Sequence, residues 1–309
     1  MLNKVFDSIA TALSTFVLGW AMPSVVTVGT FAVFVFPEVE SRWPFDAIRN
    51  AAMLNVPTEL GIISFFILIL AVLSAHMQVP IYRLLEGYAL PRILRRRLHL
   101  QQLKRWRTMQ VFRRLASRHH ARNSELLLKF EQSLLYPDNR DDVQPTRLGN
   151  ALRAMETYAV PRFGLDSQTL WYELVACAPA RVVKDVEETR ATVDLFVSAV
   201  MHFSLLAVAC FVVAIWARSW QALVVGLLAL FLTKPAYNAA VRNVGDYRFA
   251  TQALIHTARK PLAEQLGFRL PRKMAEERTL WRSIVGFVYH RQGDDFDSSY
   301  AEELDRFRA

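Results

Sequence analysis

Residues 60–79 read LGIISFFILILAVLSAHMQV, and residues 92–122 read RILRRRLHLQQLKRWRTMQVFRRLASRHHAR. The first stretch carries no charge over about 20 residues, the length a helix needs to cross a bilayer. The second holds eleven Lys and Arg with no Asp or Glu. Between them lies a hinge, Pro80 to Pro91. A crossing followed by that density of cations marks its basic end as cytoplasmic, and this fixes the topology expected of the remaining apolar runs.

Working outward, 53% of the 309 residues are hydrophobic, mean hydropathy is +0.17 and net charge is +9. The apolar residues are gathered into a few long blocks, which points to a membrane protein rather than to soluble cores. Leu195 to Trp216 is a second uncharged run. Arg218-Ser219 reads as a tight reversal, and Trp220 to Thr233 as a shorter run stopped by Lys234-Pro235, its helix extending to about residue 240. Ser24 to Phe36 is almost wholly apolar after Pro23. Residues 1–19 place Val5, Phe6, Ile9, Leu13, Phe16 and Val17 on one helical face, as an interfacial amphipathic helix would. Two readings of residues 1–37 stand: an interfacial helix turning into a crossing at about 20–37, which is favoured, or one kinked helix. No basic n-region with a cleavage site occurs, so the first apolar segment is expected to remain in the mature protein.

The expected architecture is an all-α integral membrane protein with four crossings: a hairpin over 20–80 (20–37 and 60–79) and a second over 193–236 (195–216 and 220–236). A helical insert, 81–192, and a helical C-terminal region, 237–309, make the body. Of the 37 Lys and Arg, only Arg42, Arg49 and Arg218 fall in the two connectors on one side, leaving 34 for the other. Both termini and the body are therefore expected in the cytoplasm.

Within the body, 92–135 reads as one long helix or two, and YPDNRDDVQP, 136–145, as a turn-rich loop. Asp166 is placed to cap a helix carrying Trp171 and Leu174. From Arg181 a charged helix runs without a breaker into the 195–216 crossing. Tyr237 to Leu266 reads as a separate amphipathic helix, followed by one near 275–289 and an acidic tail from Gly293. The hexamers GYALPR (87–92) and GFRLPR (267–272) echo one another.

The run PTRLGNALRAMETYAVPRFGLDSQTLW, 145–171, resembles a signature of bacterial multi-pass membrane proteins: RLGN, then Glu-x-Tyr, then Arg-aromatic-Gly-Leu-Asp and a Trp. The segments Leu85-Glu86-Gly87-Tyr88, 247–267 and Glu277-x-x-x-Trp281 resemble theirs as well. Tyr172 departs from the proline expected after the tryptophan. The resemblance implies a bacterial inner-membrane location and names no activity.

Candidate sites follow from these patterns. Arg147, Asn150, Glu156, Arg162 and Asp166 read either as a shared polar pocket or as a structural network of ion pairs and caps. Arg95, Arg96, Arg97, Lys104 and Arg105 are candidate contacts for anionic lipid headgroups, or a solvated face serving only as a topology signal. Nucleic acid is the disfavoured reading, because no binding motif accompanies the charge. His76 and His202 lie inside apolar runs, where a polar group bonds a neighbouring helix or lines a water path. Phosphate-binding loops, nucleophile elbows and paired metal-ligand motifs are absent, so neither catalysis, nor a cofactor, nor a metal is expected. The function expected is that of a membrane-anchored, homo-oligomeric scaffold or signal-coupling protein whose cytoplasmic body binds a protein partner. An oligomeric pore or membrane-perturbing effector is the alternative.

Overall fold

The computed structural model describes residues 16–40, 56–119, 124–289, 302 and 304–308. The amphipathic pattern of residues 1–15, the connector 41–55 and most of the acidic tail lie outside them. Among the described residues all regular structure is helical, with one β-bridge pairing Phe268 and Arg308. Three helices are long and apolar enough to cross a membrane, or four if a bent pair forms one span. The all-α class and the helical body expected from the sequence are present, and the fourth crossing depends on how that bent pair is counted.

The chain divides into two compact units, Met1–Leu85 with Arg190–Asn243, and Glu86–Thr189 with Val244–Ala309. In the first, a π-helical turn Val17–Ala21 leads directly into α1 (Met22–Phe34), and α2 (Phe36–Glu40) follows. Pro23 stands in a helix already under way, since Ala21 and Met22 keep right-handed helical backbone angles, and its missing N–H forfeits one helical bond, a loss that apolar helices tolerate. The described helix runs on from Val17 through Pro23, and the choice between the two readings of residues 1–37 rests on residues 1–15, which lie outside the described residues.

Helix α3 (Val56–His76) and α4 (Gln78–Glu86) meet at a 60° bend. Pro80 explains it: the ring has no N–H to give the carbonyl of His76 and crowds that carbonyl, so the helix kinks one turn earlier. The bonds from Met77 N to Leu73 O (2.9 Å) and from Ile81 N to Met77 O (3.0 Å) survive on either side. The run 60–79 is thus bent near its end, just before the hinge expected from Pro80.

Helices α10 (Ala180–Ala217) and α11 (Trp220–Gln265) are joined by a two-residue reversal in which Arg218 takes a left-handed φ of 47°. Ser219 Oγ accepts from Ala222 N at 3.2 Å and caps α11. The two helices pack through small residues. Gly226 lies where a Cβ would stand 3.1 Å from Cys210 Cβ and the Phe211 ring, and Ala207, Ala222 and Ala229 are buried nearby. Large apolar side chains point outward instead, Trp220 and Phe231 both at 71% exposure. An apolar exterior of this kind is one that lipid solvates.

One expectation fails clearly. The helix runs past Lys234-Pro235 as expected but does not end near residue 240, and no separate helix begins at Tyr237; α11 is continuous for 46 residues. A proline forfeits one hydrogen bond, and the helix-forming residues that follow outweigh that loss.

The second unit holds α5 (Arg92–His119), α6 (Ser124–Leu134), α7 (Arg147–Glu156), α8 (Ala159–Phe163), α9 (Trp171–Cys177) and α12 (Met274–Tyr289). The run 92–135 is thus two helices. The core gathers Leu165, Leu174, Leu254, Ile255, Leu262 and Leu280 around Trp281, all essentially without solvent contact. The hexamer echo has a local cause. Gly87 (φ 99°) and Gly267 (φ 82°) each end a helix in the left-handed region that favours glycine. At the second, Phe268 N donates to Ala263 O (2.9 Å) and Gly267 N to Glu264 O (3.1 Å), a Schellman cap.

Candidate functional site

Two polar constellations stand out, one in each unit. In the first unit, α10 repeats a polar side chain every fourth residue: Arg190, Asp194, Ser198, His202. Such a repeat keeps these side chains on one helical face. Ser74, Gln78 and Tyr82 recur with the same spacing on α3 and α4, and Ser24 and Thr27 lie on α1. These stripes meet inside the unit.

His202 is fully buried. Its Nδ1 lies 2.8 Å from the Ser198 carbonyl and 3.2 Å from Ser198 Oγ. A carbonyl only accepts, so Nδ1 carries the proton in that contact. Nε2 lies 2.9 Å from Ser24 Oγ and 3.4 Å from Ser74 Oγ. Each serine also has a carbonyl one turn back as acceptor, Trp20 O at 2.9 Å and Leu70 O at 2.6 Å.

Two turns from His202 along α10, Asp194 is buried and accepts at Oδ1 from Tyr82 OH (2.6 Å) and Gln78 Nε2 (3.1 Å). Arg190 Nε stands 4.0 Å from Oδ2. Gly19 leaves room beside it, since a Cβ there would lie 3.3 Å from Asp194 Cβ. The hydroxyl of Thr27 is buried with no hydrogen-bond partner among the described residues. His76 is exposed and takes no part. It follows Ser74 by two residues, about 200° around the helix, and so faces away from the stripe. Of the two histidines singled out in the sequence, only His202 belongs to the tract. Asp194, Tyr82, Gln78 and the three serines were not singled out; their spacing of four was the available signal.

In the second unit the loop 135–146 is held from several sides. Asn150, fully buried, accepts from Gln144 N (2.8 Å) and donates to Gln144 O (2.9 Å) and Thr146 O (2.6 Å). It thus pairs with the loop backbone as a neighbouring strand would. Arg153 grips Asp142 through Nε (3.0 Å) and Nη2 (2.8 Å), and reaches Glu156 at 3.4 Å. Burial pushes the Glu156 carboxyl above its ordinary range; Arg153 opposes the shift, and the Asp142 charge adds to it.

Arg113 forms an ion pair with Asp138 at 2.6 Å and donates to the carbonyls of Ser133 and Tyr136, while Trp106 Nε1 donates to Pro137 O at 2.9 Å. Burial lowers the pKa of the Arg113 guanidinium, and Asp138 opposes that shift. Arg248 donates to the carbonyl of Leu134. These arginines serve the carbonyl end of α6, where the helix dipole favours cations.

The five signature residues do not converge on one pocket. Asn150 pins the loop, and Glu156 pairs with Arg153. Arg162 stands over the Tyr158 ring (4.1 Å), 3.7 Å from Asp138. Arg147 opens α7, half-buried. Asp166 accepts from Gln168 N (2.9 Å) and the Thr169 hydroxyl (2.9 Å). It caps the turn before α9 rather than α9 itself, which begins after Leu170. Glu277 and Trp281 are also internal: Glu277 pairs with Arg259 at 2.5 Å and accepts from Trp281 Nε1 at 3.4 Å. Gly164 is required where it stands, because its φ is 74° and a Cβ would meet the Arg278 carbonyl. The basic residues Arg95, Arg96, Arg97, Lys104 and Arg105 are all exposed on α5.

No group of His, Cys, Asp and Glu able to hold a metal occurs among the described residues. Comparison of the chain with protein-family models, with curated proteins and with solved structures found no match.

Proposed function

We propose that this chain is a membrane-anchored scaffold or signal-coupling protein of the bacterial inner membrane. It is homo-oligomeric, with both termini and the helical body in the cytoplasm, where the body binds a protein partner. The observation that carries this reading is that the second unit folds around its own apolar core at Trp281 and pins the loop 135–146 through Asn150, which gives a fixed surface of the kind a protein partner recognises. The distribution of Lys and Arg supports the cytoplasmic placement, and the resemblance of residues 145–171 supports the bacterial membrane.

Tyr172 is the most exposed large side chain of the body that the sequence marked, at 84%. A photo-crosslinking residue at position 172, introduced in cells, is expected to give one discrete adduct with a soluble protein, and purified chain in planar bilayers no steady conductance. Conductance abolished by His202→Leu would overturn the reading in favour of a pore. The enclosure of His202 by Ser24, Ser74 and Ser198 of its own chain weighs against that alternative.

A further inference from the structure

Helix α5 turns two unlike faces outward and inward. Its inner side carries Gln102, Trp106 and Arg113, whose polar atoms are bonded to Tyr136, Pro137 and Asp138. On the opposite side Ile93, Arg97, Leu100, Lys104, Arg107 and Val111 follow one another at steps of four and three residues and are all exposed. Steps of that size trace a single stripe along a helix. Within it the apolar members stand open at 75% (Ile93), 52% (Leu100) and 53% (Val111). The stripe alternates apolar and cationic side chains, and residues 92–122 offer no carboxylate to neutralise them.

We infer that this face of α5 docks on an anionic phospholipid surface, with Ile93, Leu100 and Val111 entering the headgroup–acyl boundary and Arg97, Lys104 and Arg107 meeting lipid phosphates. Charge complementarity supplies the attraction, and the interleaved apolar residues supply what a polyanion alone would not use. A nucleic acid would pair such cations with exposed rings for base stacking. The aromatic residues of α5 do not serve: Trp106 is half-buried and bonded to Pro137, and Phe112 is half-buried under Lys129. Lysine and arginine stems also snorkel, so their cations reach phosphate while the apolar neighbours sink deeper.

The inference rests on reading the apolar helices as spans and is independent of the partner-binding reading. The test uses the full chain with Cys177 and Cys210 replaced by serine. Single cysteines at Leu100, Val111 and Gln101 carry spin labels in nanodiscs of phosphatidylcholine alone or with about a third phosphatidylglycerol. Accessibility to oxygen against a water-soluble nickel chelate reads depth. Labels at 100 and 111 are expected to move from water into the boundary only in anionic discs, and to return to water at high salt. The label at Gln101, exposed but off the stripe, should stay aqueous. The triple change Arg97→Gln, Lys104→Gln, Arg107→Gln should abolish the shift, with near-ultraviolet circular dichroism confirming the fold.

Labels equally aqueous in both discs would overturn the inference. So would labels equally shielded in both, which would place protein on this face. Protection by added single-stranded RNA without any lipid effect would assign the stripe to nucleic acid. A chain that does not enter nanodiscs at all would instead sink the membrane reading, an outcome separable from these.

Discussion

Asn150 offers the sharpest test of how the body is held together. Replacing it with alanine leaves Gln144 N–H and Gln144 O without their partners, now at 2.8 and 2.9 Å. The Thr146 carbonyl keeps its bond from Asn150 N, at 3.1 Å, so it is not orphaned. Two unsatisfied backbone groups at about 1–2 kcal/mol each give a loss of about 3 kcal/mol. For a folded unit of this size that corresponds to a fall in melting temperature of about 6–12 °C. Asn150→Asp should cost at least as much: it keeps an acceptor for Gln144 N–H but sets a second carboxylate oxygen against two carbonyls. Arg162→Ala, which breaks a half-exposed pair at 3.7 Å, should cost under about 1 kcal/mol. The assay is thermal unfolding of detergent-solubilised protein at one scan rate. An Asn150→Ala protein melting within about 2 °C of the parent, or an Arg162→Ala protein melting below Asn150→Ala, would refute the assignment of the loop to Asn150.

Three other outcomes follow from the same structure. Glu156 has a raised folded-state pKa, so the folded chain holds its proton more readily than the unfolded chain, and stability falls as pH rises from the ordinary glutamate range through that raised value; Glu156→Gln should flatten this slope in a pH series of melting temperatures. Gly164→Ala forces a side chain into a left-handed φ and onto the Arg278 carbonyl, and should cost about 2–4 kcal/mol by the same thermal assay. Asp194→Leu strands the donors of Tyr82 and Gln78 and should cost about 2–4 kcal/mol, whereas His202→Leu should cost about 1 kcal/mol, since Ser24 and Ser74 keep their own carbonyl acceptors; equal losses in a detergent-stability assay would contradict the bonding described.

The helical class was legible because long uncharged runs and cation-rich helices are each uninterrupted patterns. Helix ends were less so. Lys234-Pro235 marks where apolar composition stops, but a change of composition shows where lipid ends and not where hydrogen bonding ends, so α11 runs on. Pro80 behaved differently, bending the chain at Met77. Composition drew attention to His76 and His202 alike, and only position on the helix separates them. The tract around His202 was hidden for another reason: Ser24, Ser74 and Ser198 are each unremarkable locally and acquire meaning only when three distant helices bring them together. In the body, the signature residues were visible as a pattern, but their work is divided between loop, ion pair and turn, which sequence order does not disclose.

In the proposed topology Arg218 and Tyr172 lie on opposite sides of a bilayer. In a chain lacking its native cysteines, Arg218→Cys in spheroplasts should react with a membrane-impermeant maleimide from outside, and Tyr172→Cys only after the membrane is opened. Labelling of both from the same side, or of Arg218→Cys only after opening, would contradict it.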